Sequence, residues 1–188
     1  MISLEHFSCV ADIFRYQSKT NGSCIAQVFE GRETTYEELD TFANKVANGL
    51  LNHNCGSGTR VGFLGKNSDY YFEILAGSSK ANVVIAGVNW RLAGPEIEYV
   101  LNNAEAEILF VGAEFYEIIE ELLPKLAAVR KVIAVDGKHK DWEDYSSWRD
   151  SQQNHDPKIS ISADDDVCLL YTSPSPRDQR GARMPSWA

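Results

Sequence analysis

Between about residues 60 and 135, unbroken apolar runs alternate with segments in which apolar residues recur at helical spacing. The unbroken runs predict strands that are buried on both faces, at 60–65, 83–88, 108–111 and 132–135. The helical spacing predicts helices at about 68–81, 95–101 and 115–123. Such alternation is typical of right-handed βαβ units. The pattern therefore predicts an α/β fold, with a mainly parallel sheet flanked by helices.

The first 60 residues predict two helices around a small hairpin. The first helix is expected over about 9–18 and the hairpin over 25–35. Thr35 and Glu38 then have the spacing of a capping box, in which the Thr hydroxyl accepts from the third amide on and the Glu carboxylate reaches back. A second, strongly amphipathic helix is expected to begin there and to end near His53.

The pattern becomes polar after Gly137. Residues 138–157 are predicted to form a surface excursion with one short helix. Three aromatic residues at helical spacing within it are expected to cover an edge of the core: Trp142, Tyr145 and Trp148. Three adjacent carboxylates at 164–166 precede a last apolar run at 167–171.

Composition narrows the class of protein. With 188 residues, 44% of them hydrophobic and 24% charged, the chain suits one globular domain. A formal net charge of -9 argues against a nucleic-acid partner. No apolar run approaches the roughly 20 residues of a membrane helix, and the N-terminus lacks the features of a signal peptide, so a cytoplasmic protein without a transmembrane segment is predicted. The four cysteines have no C-x-x-C spacing and are expected to be reduced thiols.

The stretch 67–92 carries the most specific signal in the chain. Ser68 is in position to cap its helix, the helix ends in Lys80-Ala81-Asn82, and the following strand is closed by Asn89-Trp90-Arg91-Leu92. By these residues the chain resembles the adenylate-forming superfamily of AMP-dependent acyl-CoA synthetases. In that family Gly usually stands at the position of Asn82.

Two further matches occur in the family's order along the chain. Thr35-Tyr36-Glu37-Glu38-Leu39 is similar to the segment that opens these enzymes, and Asp164-Asp165-Asp166 is similar to the approach to their phosphate loop. The segment 89–92 looks more like that of ligases for fatty or aryl acids than like that of peptide-synthetase adenylation domains. The resemblance covers about residues 7–167, which it identifies as the incomplete N-terminal part of an adenylate-forming large domain.

What the resemblance implies is an ATP-dependent acyl-CoA ligase. It would activate a fatty or aryl carboxylic acid as an acyl-adenylate and transfer the acyl group to CoA, with Mg²⁺ offsetting the charge on the phosphates. No catalytic residue and no metal ligand of the family carries over to this chain. Only Thr172 and Ser173 match the start of the phosphate loop, as vestigial cofactor-binding residues. Pro174 follows where that loop requires Gly, and Pro has no amide to donate.

The segment 168–188 is similar to the forward translation of a transposase sequencing adapter, beginning with Cys-Leu-Leu-Tyr-Thr-Ser-Pro-Ser-Pro-Arg-Asp. We therefore expect residues 1–167 to be the N-terminal portion of an AMP-binding domain and 168–188 to be a non-native tail. A genuine Pro-rich and Arg-rich tail is the alternative. In that case the chain is a non-catalytic α/β module that binds a ligand or a partner, and in either case the chain itself is expected to be inactive.

Several single residues allow two interpretations. Arg91 follows a buried strand, where it could contact a substrate, but an ion pair with Glu96 or Glu98 is the simpler expectation. The carboxylates at 164–166 could ligate a metal, but a solvated turn is more common. Lys66 and the glycines at 56–58 lack the remaining residues of a P-loop or a dinucleotide fingerprint. The four histidines are expected at the surface: His6, His53, His139 and His155.

Overall fold

A computed structural model describes residues 7–170, which form an α/β fold. In chain order the elements are α1 (Val10–Asn21), β1 (Ile25–Phe29), β2 (Arg32–Thr35), α2 (Tyr36–Asn52), β3 (Arg60–Leu64), α3 (Asp69–Ala81), β4 (Val84–Val88), α4 (Gly94–Ala104), β5 (Ile108–Gly112), α5 (Tyr116–Leu122), β6 (Lys131–Val135), β7 (Glu143–Asp144), α6 (Tyr145–Asp150) and β8 (Cys168–Leu170). None of the helices in this range is long and apolar enough to cross a membrane.

The main sheet has six strands in the order β7-β6-β5-β3-β4-β8, and every neighbouring pair is parallel. β1 and β2 form a separate antiparallel hairpin. The four strands predicted from unbroken apolar runs are all present, each within one residue of its expected start. The prediction of a parallel sheet flanked by helices is confirmed.

The strands are apolar throughout because helices cover both faces of the sheet. The sheet separates two hydrophobic cores, and successive residues of β3 and β5 belong to them alternately. Phe63 and Phe110 belong to the first core, and Leu64 and Leu109 to the second. The first core lies beneath α2, α3 and α6, and the second beneath α4 and α5. A strand between two apolar layers has no solvent-facing side on which polar residues could alternate.

The predicted capping box is present at the start of α2. The Thr35 hydroxyl accepts from the Glu38 amide at 3.3 Å, and the Thr35 amide donates to the Glu38 carboxylate at 2.9 Å. Two hydrogen bonds to the Glu38 carboxylate lower its pKa: the bond from the Thr35 amide most of all, and a bond from the Thr35 hydroxyl at 2.9 Å. α2 ends at Asn52, next to the expected boundary at His53.

The end of α3 explains the departure from the family's Lys-Ala-Gly motif. Asn82 adopts the left-handed conformation, with φ 57° and ψ 42°, which ends the helix. Gly is the usual residue in this conformation, and Asn tolerates it better than most others. The Asn82 side chain also donates to the Asp165 carboxylate at 2.9 Å, a bond that Gly could not make.

The prediction for residues 138–157 is confirmed for one short helix, α6, and is wrong for the surface excursion. Tyr145 and Trp148 are each 1% exposed and lie within the first core. The reason is that β7 pairs with β6 and returns the chain to the sheet, so that α6 packs against β6 and α2. Trp142 precedes α6 and packs, partly buried, against the second core.

Two buried charges of α3 are satisfied by neighbouring helices. Glu73 is 2% exposed and accepts from the Tyr145 hydroxyl at 2.9 Å and from Arg149 at 2.7 Å. Lys80 is fully buried and donates to Asp40 at 2.5 Å and to Asn44 at 2.6 Å. Burial lowers the pKa of Lys80, while the bond to Asp40 acts in the opposite direction.

The close contact between α2 and α3 gives a first prediction. A Cβ added at Gly77 would lie 2.4 Å from the Val46 Cβ and 2.9 Å from the Ala43 carbonyl oxygen. Gly77→Ala should lower the free energy of unfolding in urea, because overpacking costs about 1–3 kcal/mol and improved helix propensity returns at most about 1 kcal/mol. Gly56→Ala is the control, since its Cβ would meet nothing within 4 Å. Equal stability of the two variants would contradict the packing described here.

An ion pair between α1 and the segment before β8 gives a second prediction. Arg15 binds both oxygens of Asp156, at 2.6 and 3.0 Å. Burial acts to raise the pKa of Asp156, but the hydrogen bonds from Arg15 and from the Lys158 amide bring it below 3.8. The pair therefore stabilises the fold above the unfolded pKa and is lost as the pH falls through the folded one.

Asp156→Asn should accordingly lower the free energy of unfolding by about 1–2 kcal/mol at neutral pH. The difference from the parent chain should shrink as the pH falls below the usual range of a carboxyl pKa, and disappear once Asp156 is protonated in the folded chain. Urea denaturation across this pH range measures both effects. Glu121→Gln removes one exposed carboxylate on α5 and should show neither; a deficit of Asp156→Asn that persists in acid would refute the assignment.

Candidate functional site

The carboxyl ends of the parallel strands meet along one edge of the sheet. From β3 the chain proceeds to β4 on one side, and from β5, on the other side of β3, it proceeds outward to β6. The strand order therefore reverses between β3 and β5, and open α/β sheets bind ligands outside the strand ends at such a point. A cavity of about 590 Å³ lies there.

Four parts of the chain form the cavity. They are the β1–β2 hairpin (Phe29, Glu30, Arg32), the loop after β3 with the start of α3 (Lys66, Asn67, Ser68, Tyr70), the end of β5 with the segment after it (Gly112, Ala113, Glu114, Phe115), and the loop after β6 with the junction of β7 and α6 (Asp136, Gly137, Asp144, Tyr145, Ser146). Its size falls within the range of about 300–1,000 Å³ usual for ligand sites. The edge was predictable from the strand order, but Arg32 and Asp136 were not predicted as site residues.

Both cations of the cavity form ion pairs, but not every carboxylate there does. Arg32 binds both oxygens of Asp69, at 2.8 and 2.9 Å, and Lys66 binds Glu114 at 2.8 Å. Asp136 has no ion pair among the described residues. Partial burial and the negative charge of Asp69 raise the pKa of Asp136, and nearby Arg32 offsets this only in part.

Ser68 occupies the N-cap position of α3, as predicted, but does not act as a capping side chain. It is 5% exposed, and its buried hydroxyl has no hydrogen-bond partner among the described residues. Instead, the Asp69 carboxylate accepts from the Tyr70 amide at 3.1 Å. A buried hydroxyl without a partner costs free energy, so an unsatisfied one beside a cavity is notable.

On the β4 side of the same edge, Trp90 lies between two cations. The Arg91 guanidinium lies 4.0 Å from the Trp90 ring centroid, and the Lys66 ammonium lies 5.4 Å from it. The prediction that Arg91 pairs with Glu96 or Glu98 is wrong. Glu96 instead accepts from the Ala93 amide at the start of α4, and Glu98 pairs with Lys125. Stacking on this partly buried ring keeps Arg91 at the strand end.

Thr172 and Ser173, predicted as vestigial phosphate-loop residues, lie outside the described residues. β8 runs parallel to β4, with Leu170 opposite Gly87, so both strands end at the edge that carries Trp90 and Arg91. The carboxylates at 164–166 form an exposed turn, in which Asp165 accepts from the Ser162 amide at 2.8 Å. This arrangement favours the turn over a metal site.

The histidine prediction holds only in part. His155 is exposed, and His6 lies outside the described residues. His53 and His139 are half-buried: His53 receives a hydrogen bond from Trp148, and the ring of His139 stacks on Trp142. Burial, together with nearby Lys131 and Arg130, lowers the pKa of His53.

Residues 14–175 match the sequence profile of a family described as AMP-binding enzyme. The chain belongs to this family. Over 149 residues it is 36% identical to a fatty acid–[acyl-carrier-protein] ligase, ScoC, of Streptomyces coeruleorubidus, a match that covers 79% of this chain and 27% of the relative. Over 173 residues it is 27% identical to a medium/long-chain-fatty-acid–CoA/3-oxocholest-4-en-26-oate–CoA ligase of Mycobacterium marinum, covering 87% of this chain and 31% of the relative.

A solved structure shares the fold of this AMP-binding family member. The anthranilate CoA ligase AuaEII, in complex with anthranoyl-AMP, superposes with a TM-score of 0.85 at 24% identity, over 89% of this chain and 33% of that one. The chain thus spans about a third or less of the proteins it matches. The prediction of the adenylate-forming family, made from three short motifs, is confirmed.

The two N-cap residues give a third prediction. Thr35→Ala should lower the free energy of unfolding by about 1 kcal/mol, because it removes the hydroxyl that accepts from the Glu38 amide and caps α2. Ser68→Ala should not lower it, because its hydroxyl makes no bond that could be lost. Urea denaturation of both variants measures the difference. Equal losses would mean that the Ser68 hydroxyl caps α3 in solution.

Proposed function

We propose that this chain supplies the N-terminal scaffold of an ATP-dependent acyl-CoA ligase. The observation that carries the proposal is the match of residues 14–175 to the AMP-binding family. The order of three motifs along the chain supports it: the segments 35–39, 67–92 and 164–166 occur in the order in which the family has them. Residues 1–167 are the part that we assign to the AMP-binding domain, in a cytoplasmic protein.

The substrate that we propose for the full-length enzyme is a fatty or aryl carboxylic acid. One relative is named as a fatty acid ligase, and the structural neighbour as an anthranilate CoA ligase. ATP would supply the adenylyl group and Mg²⁺ would offset phosphate charge, but Pro174 and Pro176 remove the amides and the glycine flexibility that a phosphate cradle requires. The residues present therefore do not fit a nucleotide site.

An acyl-carrier protein is a second candidate for the molecule that accepts the acyl group, besides CoA. The 36%-identical relative transfers to an acyl-carrier protein, according to its name, whereas the 27%-identical one is named as a CoA ligase. Both acceptors present a thiol to the acyl-adenylate, so the N-terminal scaffold does not distinguish them. Assaying a full-length protein that contains this sequence with CoA and with a carrier protein would separate the two.

The function from another class is a non-catalytic module. If the sequence after Val167 is genuinely encoded, the chain has the sheet of an AMP-binding enzyme without its phosphate loop, and it would act by binding a ligand or a partner. Sequencing the source DNA across codon 167 decides between the two proposals. A Gly-Thr-Thr-Gly continuation favours the enzyme, and an encoded Pro174 favours the module.

The proposal makes a fourth prediction. The 188-residue chain should show no carboxylate-dependent ATP–pyrophosphate exchange, because Pro174 and Pro176 stand where a phosphate cradle requires glycines and amide donors. The Streptomyces ligase, assayed with a fatty acid in parallel, is the positive control. Circular dichroism must show cooperative unfolding of the same sample, so that absence of exchange is not absence of fold. Exchange above background that depends on the carboxylate would overturn the prediction.

A further inference from the structure

The cavity at the carboxyl ends of β3, β5 and β6 has a charge pattern of its own. Six charged residues line it: Glu30, Arg32, Lys66, Glu114, Asp136 and Asp144. Both cations are already held by carboxylates at 2.8 Å, Arg32 by Asp69 and Lys66 by Glu114. Asp144 caps α6 by accepting from the Ser147 amide at 2.9 Å. Glu30 lies 3.9 Å from Arg32 and shares that cation with Asp69, whereas Asp136 has no ion pair among the described residues. The cavity therefore has more carboxylates than cations.

The cavity also has an aromatic wall. Phe29, Tyr70 and Phe115 are partly buried and contribute to its lining, and the fully buried Tyr145 lies beside them. The wall already contacts one guanidinium, since Arg32 lies 5.3 Å from the Phe29 ring centroid and 5.4 Å from that of Tyr70. Aromatic faces attract cations, and guanidinium groups also stack on them. The surface is thus suited to the flat face of a cationic ligand.

An unsatisfied polar group lies in the same lining. Ser68 is 5% exposed, and its hydroxyl has no partner among the described residues. The N-terminus of α3 would favour an anion at this place, but both nearby cations are neutralised and the unpaired carboxylates would repel one. A hydroxyl accepts a hydrogen bond from a cationic N–H as readily as it donates one.

A metal ion does not explain the pattern. Within residues 7–170, three side chains bring ligand atoms within 4.8 Å of one another at one set only, Glu120, His139 and Asp141, which lies outside the cavity. The carboxylates of the cavity form no such set of three. Carboxylates combined with aromatic rings suit an organic cation with several N–H donors.

We propose that this cavity binds an organic cation, a guanidinium or alkylammonium group that donates to Asp136 and Ser68 and packs against the aromatic wall. The group could belong to a free small molecule or to an arginine or lysine side chain of a polypeptide. The site involves neither Thr172 nor Ser173, so it is independent of nucleotide chemistry and of the enzymatic proposal.

The test is a calorimetric titration of the 188-residue chain with agmatine, which carries a guanidinium and an ammonium group. Agmatine should bind saturably at one site, whereas butylurea, a neutral isostere, and inorganic phosphate should not. Asp136→Asn should weaken agmatine binding about tenfold, because it removes a charge-assisted hydrogen bond. Ser68→Ala should weaken it about threefold, as expected for a neutral bond.

The variants are chosen to leave the fold intact. Asp136 has φ 60°, a conformation that Asn tolerates as well as Asp does. Asp164→Asn removes a carboxylate from an exposed turn outside the cavity and should leave binding unchanged. Thermal unfolding of each variant confirms that it is folded. Absence of agmatine binding, equal binding by Asp136→Asn, or phosphate binding in place of agmatine would overturn the proposal.

A second ligand distinguishes the two sources of the cation, a free small molecule and a polypeptide side chain. Acetyl-Gly-Arg-Gly-amide presents a guanidinium in a peptide, without agmatine's free ammonium group. Tighter binding of the peptide would assign the site to a polypeptide side chain, and tighter binding of agmatine would assign it to a small molecule. Either order supports a cation site, provided that Asp136→Asn weakens both ligands.

Discussion

The architecture depends on the requirement that a buried charge have a partner. α3 places three charged side chains in the interior, Asp69, Glu73 and Lys80, and burying any of them alone would cost several kcal/mol. Arg32 of the hairpin pairs with Asp69. Glu73 is satisfied only by α6, through Tyr145 and Arg149, and Lys80 by α2, through Asp40 and Asn44. α3 therefore fixes the positions of two helices that are distant from it in sequence. The absence of a side chain at Gly77 lets α2 come close enough for the Lys80 bonds to form.

Much of the fold could be predicted because its signals are local. Strands buried on both faces leave unbroken apolar runs, and the capping box needs only four residues, Thr35 to Glu38. The position of α6 was missed because its cause is not local. β7 has only two residues, too few to produce a pattern, yet its pairing with β6 carries Tyr145 and Trp148 into the core. Gly49 on α2 has no side chain where the Trp148 ring packs, since an added Cβ would lie 2.5 Å from that ring. The residues next to Gly49 in the sequence do not indicate this contact.

The candidate site likewise combines features that local sequence signals predict with features that they do not. The alternating pattern indicates a parallel sheet, but the strand order that locates the site comes from the structure. Ser68 could be named from the sequence as the cap of α3, although not as a site residue. Arg32 could not, because it reaches Asp69 from a hairpin 37 residues earlier. Asp136 becomes distinctive only through what surrounds it: a carboxylate near Asp69 and Glu30 that lacks a cation of its own. Charge balance at a site is a property of the assembled edge, which no single segment reveals.

Asn82 links the end of one helix to the start of a distant strand. Its backbone does what the family's glycine does, while its side chain reaches the Asp165 carboxylate, two residues before the Val167 carbonyl that accepts from the Ile85 amide. The hydrogen bond from the Asn82 side chain thus sets the distance between the end of α3 and the segment that leads into β8. The register of the strand that leads toward the phosphate-loop position is set here by a side chain, whereas a glycine at this position would leave it to strand pairing alone.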